Sequence, residues 1–153
     1  MSSSTAQHSY TIKEAAALTG LPASTLRYYE SIGVITPISR GSSSRHRLYD
    51  EDDLDQLMWI ACLSATGMSV ADMKQYVANR DSGPSAAADQ IALLEGQQRR
   101  LEAEAESIAV RQRYVQLKIG YWRAVEAGDT DNAELVSEEA RELADELKRA
   151  RKQ

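Results

Sequence analysis

Arg27, Arg40, Arg45, His46 and Arg47 fall close together in the 153-residue chain, with Glu30 as the one acidic side chain among them. Residues 27–47 therefore carry a net charge of +3, whereas the whole chain carries −5. A guanidinium presents a planar fork of N–H donors that fits a phosphate bidentately, and Tyr28 and Tyr29 beside Arg27 add hydroxyl donors. This set of residues suits gripping a polyanion, not making or breaking bonds. At a pI of about 5.1, bulk charge cannot supply the attraction, so the local cluster must.

Cys62 is the second residue type capable of chemistry. As the sole cysteine it makes no internal disulfide, and two histidines without clustered cysteines give no zinc-ligand spacing. No metal and no cofactor are expected. A thiol enzyme would need a base for Cys62; no histidine stands near it in sequence, so no enzymatic activity is expected.

Several elements must position these groups. Met1 to Ser9 is small and polar and is expected to be disordered. Thr11 to Glu14 fits a capping box starting a helix at about Ile12, and Gly20 ends it. Pro22 suits the first turn of a second helix, whose apolar face is Leu26, Tyr29 and Ile32 and which Gly33 stops. Two short helices and a tight turn make a helix-turn-helix, whose second helix enters the major groove. Ser24, Thr25, Arg27 and Tyr28 are then nearest the DNA, and Thr11 is counted with them. Val34-Ile35 and Leu48-Tyr49 flank the Gly-Ser-Arg loop as strands of a wing, which carries Arg40, Arg45, His46 and Arg47 to the phosphates. Asp50 caps a helix of about Glu51 to Thr66 with one face of Leu54, Leu57, Met58, Ala61 and Ala65, and further apolar residues on its other sides. Ser69 to Asp72 opens another helix to about Ala78, with Met68 and Met73 as a hydrophobic staple.

After a break at Asp81 to Ser85, Leu94, Leu101, Ile108, Val115 and Trp122 recur every seven residues, with Ile91, Gln98, Ala105, Gln112 and Ile119 between them. That is a coiled-coil seam of about 60 Å, too long to bury on a small head, so a second copy of the chain is expected to cover it. Polar Gln98 and Gln112 favour a dimer. Gly128-Asp129 ends this helix, and Val136, Ala140, Leu143 and Leu147 line a short C-terminal amphipathic helix with Lys148, Arg149, Arg151 and Lys152 at its end. The expected boundaries are 1–9, a DNA-binding domain at 10–80, a dimerisation helix at 85–128 and a terminal helix at 129–153. No signal peptide or apolar span is present, and a cytoplasmic protein is expected.

The stretch TLRYYESIGVI, the wing ending in Arg47-Leu48-Tyr49 and the following helical pair resemble the DNA-binding domain of the MerR family of bacterial transcription regulators, over roughly Tyr10 to Val77. The likeness departs at the wing, where Arg45 and His46 stand in place of Gly-Tyr and a Gly-Ser run precedes them. The resemblance implies a mainly α fold: a winged helix-turn-helix head, then a long helix that pairs antiparallel with its mate and holds two heads apart. It also implies binding of a pseudo-palindromic promoter and distortion of its spacing for RNA polymerase. WIACLSATGMSV is similar to the aldehyde- and electrophile-responsive branch that includes AdhR and NmlR, which has W-I-x-C-L-x-x-T-G-M-S-I here. That likeness makes Cys62 a candidate sensor, against the plainer view of a small buried hydrophobe. Metal-sensing relatives carry a cysteine cluster past the long helix, which this chain lacks. Two alternatives remain open: a coiled-coil scaffold that binds protein, and a regulator that takes a small ligand near Tyr121 and Trp122 at the dimer seam.

Overall fold

The computed structural model describes residues 8–151, which fall into two compact units divided between Leu93 and Leu94. The element order is α1 (Ile12–Thr19), α2 (Ala23–Ser31), β1 (Ser39–Arg40), β2 (Arg47–Leu48), α3 (Glu51–Ala65), α4 (Val70–Asp81), a 3-10 turn at Gly83–Ala86, α5 (Ala87–Glu126) and α6 (Thr130–Arg151). The expectation of disorder over Met1 to Ser9 lies outside the described residues apart from His8 and Ser9, and Lys152 also lies outside them.

In the first unit the helix starts are locally encoded. The Thr11 hydroxyl accepts from the Glu14 amide and the Glu14 carboxylate accepts from the Thr11 amide, both at 3.1 Å, so two orphan donors of α1 are satisfied reciprocally. Asp50 and Asp53 do the same for α3, at 2.8 and 3.0 Å. Gly20 closes α1 at φ 76°, a left-handed conformation that costs a residue without a Cβ nothing, and its N–H reaches the Ala16 carbonyl. Pro22 stands one position earlier than expected, as the N-cap of α2.

Around these helices Leu26, Val34, Ile35, Tyr49, Leu57, Ile60 and Met73 form the centre of one core. Val34 and Ile35 are not a wing strand, as their β-branched pairing had predicted. Both amides bond the Tyr29 carbonyl, finishing the C-terminus of α2, and both side chains enter the core, which leaves nothing for a ladder. The wing begins after Pro37 instead: Ser39 pairs with Leu48 and Arg40 with Arg47, antiparallel. Tyr49, the expected end of the second strand, forms an isolated bridge with Tyr10 through two bonds of 2.8 Å, tying the wing base to the residue before α1.

Helix α3 buries Leu54, Leu57 and Ile60, so its core face is rotated from the expected one: Met58 and Ala65 are exposed. α4 runs three residues beyond Ala78, to Asp81, and the predicted break shrinks to Ser82 and the 3-10 turn.

The second unit is an antiparallel helical hairpin. The Ser107 hydroxyl donates to the Ala150 carbonyl at 2.9 Å, and a Cβ on Gly120 would lie 3.9 Å from Val136. Ala103, Ser107, Val110, Tyr114, Leu117, Tyr121 and Ala124, spaced four and three apart, are the half-buried to buried face of α5. Ala133, Ala140, Leu143 and Ala150 are the corresponding buried residues of α6, with Val136 and Leu147 half-buried. At 22 residues α6 is not the short helix expected.

Candidate nucleic-acid interface

Helix α2 divides cleanly. Leu26 and Tyr29 are buried, and the Tyr29 hydroxyl lies 3.4 Å from Ser64 on α3, which fixes the helix to the head. Ser24, Arg27, Tyr28 and Ser31, in which Ser24 is three residues from Arg27 and four from Tyr28 and Ser31 is four and three from the same pair, are all exposed and make the outer face. Thr25 is half-buried at the edge of that face, and Thr11 is exposed at the start of α1 with its hydroxyl oxygen engaged by the Glu14 amide. A face of two hydroxyls, a phenol and a guanidinium can donate to phosphate and base edges alike.

The wing tip is a tight loop. The Gly41 amide bonds the His46 carbonyl and the Arg45 amide bonds the Gly41 carbonyl, both at 2.9 Å, while Arg45 itself sits at φ 58°. Arg40, Arg45 and His46 are exposed, and no carboxylate lies within salt-bridge distance of Arg27, Arg40 or Arg45 among the described residues.

Arg47 is differently placed. Its Nε donates to Glu30 Oε1 at 2.6 Å, and Glu30 Oε2 accepts from the Ile38 amide at 3.0 Å. Glu30 thus clamps both strands' approaches to the end of α2. Burial pushes its carboxyl pKa up, but the Arg47 bond, the Ile38 amide and the charges of Arg47 and Arg40 outweigh it and hold it below the usual range. Sequence reasoning counted Glu30 only as an opposing charge. The signal was present: an acid at the end of a helix facing polyanion needs a cation of its own.

Tyr49 is fully buried at the wing base and its hydroxyl has no hydrogen-bond partner among the described residues; burial raises its pKa. Cys62 lies on the exposed side of α3, one turn from exposed Met58, because the core takes the opposite side at Leu57 and Ile60. This corrects the view of Cys62 as a small buried hydrophobe. The six seam residues, Leu94, Leu101, Ile108, Val115, Ile119 and Trp122, are likewise exposed, Trp122 by 64%.

Residues 10–80 match the family model described as the MerR HTH family regulatory protein. An uncharacterised HTH-type transcriptional regulator of Haemophilus influenzae is 30% identical over 121 residues, 77% of this chain and 87% of that one. The chain belongs to the MerR family. Other HTH-type transcriptional regulators match through the head: the uncharacterised YyaN of Bacillus subtilis is 41% identical over 68 residues, 44% of this chain, and AdhR of the same organism 42% over 57 residues, 37% of this chain. The chain spans only 49% and 40% of their respective lengths. Among solved MerR structures, HiNmlR, a regulator lacking the sensor domain and bound to promoter DNA, superposes with a TM-score of 0.61 at 25% identity, covering 78% of this chain and 94% of that one. A putative MerR regulator from Listeria monocytogenes gives 0.66 at 25% identity, covering 85% and 98%. This MerR chain is therefore a DNA-binding transcription regulator, mainly helical with a two-stranded wing, and no helix among the described residues is long and apolar enough to cross a membrane.

Proposed function

We propose that the chain binds a pseudo-palindromic promoter as an antiparallel homodimer, with α2 in the major groove and the wing on flanking phosphates, and distorts the promoter spacing that RNA polymerase reads. The observation that carries this is the pairing, in one chain, of an unneutralised Arg27/Arg40/Arg45 surface with an uncovered apolar seam. One protomer supplies one reading head, and the seam calls for its mate. An apolar stripe from Ile91 to Val125 in water is costly unless another surface covers it.

Charges bordering the stripe favour a second copy running the opposite way. Glu95, Glu102 and Glu104 flank its first half, and Arg111, Lys118 and Arg123 flank its second. Antiparallel pairing sets the acidic half against the basic half at both ends, whereas parallel pairing lays each half beside its own copy and forgoes that attraction. Two heads so held would meet half-sites about one turn, ~34 Å, apart. Bending the duplex between them costs on the order of 1–6 kcal/mol, which the phosphate contacts offset.

Cys62 is the proposed switch, through attack of its thiolate on an aldehyde or its oxidation. Its exposure beside Met58 supports access for a reagent, and the adduct would add bulk and polarity to that face of α3. A groove of about 400 Å³ along Tyr114, Val115, Lys118, Ile119 and Trp122 favours a second reading, a ligand held at the seam. The groove lies on the stripe itself, so the mate's helix fills it in the primary reading.

The test is fluorescence anisotropy on a palindromic duplex recovered by selection from random DNA. R27A and R45A should each weaken binding and lower the salt-dependence slope by about 1. Undiminished affinity in both variants overturns the proposed interface.

A further inference from the structure

A chain of amides joins α4 to the first turn of α5. Gln75 Nε2 donates to Asn79 Oδ1 at 2.7 Å, Asn79 Nδ2 donates to Gln90 Oε1 at 3.1 Å, and Gln90 Nε2 donates to the Tyr76 carbonyl at 2.9 Å. Asn79 is 9% exposed, a buried amide at a helix position where leucine would pack without any desolvation penalty. The same turn of α4 is anchored on its other side. Tyr76 packs at a tilt against Trp59 of α3, 5.5 Å between ring centroids, and the Arg80 guanidinium sits 4.7 Å over the Trp59 ring. Between α4 and α5 the backbone has almost no slack: Ser82, Gly83 at φ 68°, Pro84 and buried Ala86 make the turn.

We propose that Asn79 and Gln90 are positioning residues that lock the start of α5 in one rotational setting on the head, and so set the half-site spacing the regulator accepts. This rests on the dimeric, two-headed reading above. Apolar contacts are non-directional and tolerate a helix sliding or turning by part of a residue, whereas two hydrogen bonds from Gln90 to α4, one of them to an Asn79 that Gln75 braces, fix both rotation and height. A fully satisfied buried polar network specifies one geometry, at a cost in stability that an apolar joint would avoid. That constraint matters here because each base pair inserted between half-sites moves them by about 3.4 Å and turns them by about 35°. A joint that yields lets the heads follow that change; a hydrogen-bonded one does not.

The experiment scans spacer length in the selected palindrome, from two base pairs fewer to two more, with full-length wild type, N79L and Q90L, after light scattering and thermal melting confirm folded dimers. Wild type should lose about tenfold or more in affinity at one base pair off the optimum. Both variants should hold the optimum within about threefold and lose less than threefold at one base pair off. In N79D/Q90K, a carboxylate and an ammonium rebuild the bridge, and the sharp profile should return. If N79L fails to fold, Q90L carries the test, because Gln90 is only half-buried. A folded dimeric variant with the wild-type profile, or a wild type indifferent to spacing, overturns the inference. A monomeric wild type would instead sink the reading on which it rests.

Discussion

Arg47 on the wing and Glu30 on α2 meet at 2.6 Å, Nε to Oε1, with both side chains largely shielded from water. The pair means that the wing is held by α2: Glu30, in the last turn of that helix, holds β2 through Arg47 and the approach to β1 through the Ile38 amide.

E30Q should therefore weaken operator binding, by about tenfold, although it makes the surface more positive. Simple charge counting gives the opposite sign. Loss of a shielded, charge-assisted bond should also lower stability by about 2 kcal/mol. Anisotropy titrations at one salt concentration and denaturant melts check both, and tighter binding by E30Q would reject the clamp.

The same carboxylate gives a pH signature. Its pKa is lower in the folded chain than its ordinary 4.5, so its contribution to stability is complete above that value and is lost as pH falls through the folded one. Asp53 has the reverse sign. Burial first, and then the neighbouring Asp50 and Asp52 charges, raise its pKa against the Asp50 amide bond, so its ionisation disfavours the fold as pH rises from 3.8 through the folded value. Melting curves from pH 3 to 7 should show a shallower acid loss in E30Q than in wild type, and D53N should gain relative to wild type as pH rises.

In the proposed antiparallel dimer, a register centred between Glu104 and Arg111 would bring each Glu104 close to Arg111 of the second copy. E104K and R111E should each weaken self-association, by about fivefold, as paired charges near a surface do. Mixed together, the two variants should form the heterodimer in preference to either homodimer, as read by native mass spectrometry. A parallel pairing would set these positions against Ala109 and Gln116, and mixing would then change nothing.

Because Cys62 is exposed, C62S should alter stability by less than about 0.5 kcal/mol and leave operator affinity intact. What it should remove is the response of a reporter to aldehydes and oxidants. A full response from C62S transfers sensing elsewhere, to the groove beside Trp122 first.

Much of this was legible in the residues. The caps at Thr11 and Asp50 were readable because a hydroxyl or carboxylate three residues from its partner decides a helix start within one turn. The long helix and its exposed heptad residues were readable because a heptad is a property of one helix. The outer face of α2 followed from its apolar side. What stayed hidden depended on distant residues. Val34 and Ile35 look like strand, but their amides answer to Tyr29, a decision made by how the chain leaves α2. The side of α3 that carries Cys62 was obscured because apolar residues lie nearly all around that helix, so periodicity could not choose. Asn79 and Gln90 gave no signal at all, since two amides eleven residues apart acquire meaning only when the turn at Gly83 folds them together.

The α5–α6 hairpin limits the company α5 can keep. With α6 roofing one flank of α5 through Ala133, Ala140, Leu143 and Ala150, the exposed apolar stripe is on the flank left open, and in the proposed dimer a single mate would use it up, which would favour a closed pair over a growing bundle or fibre.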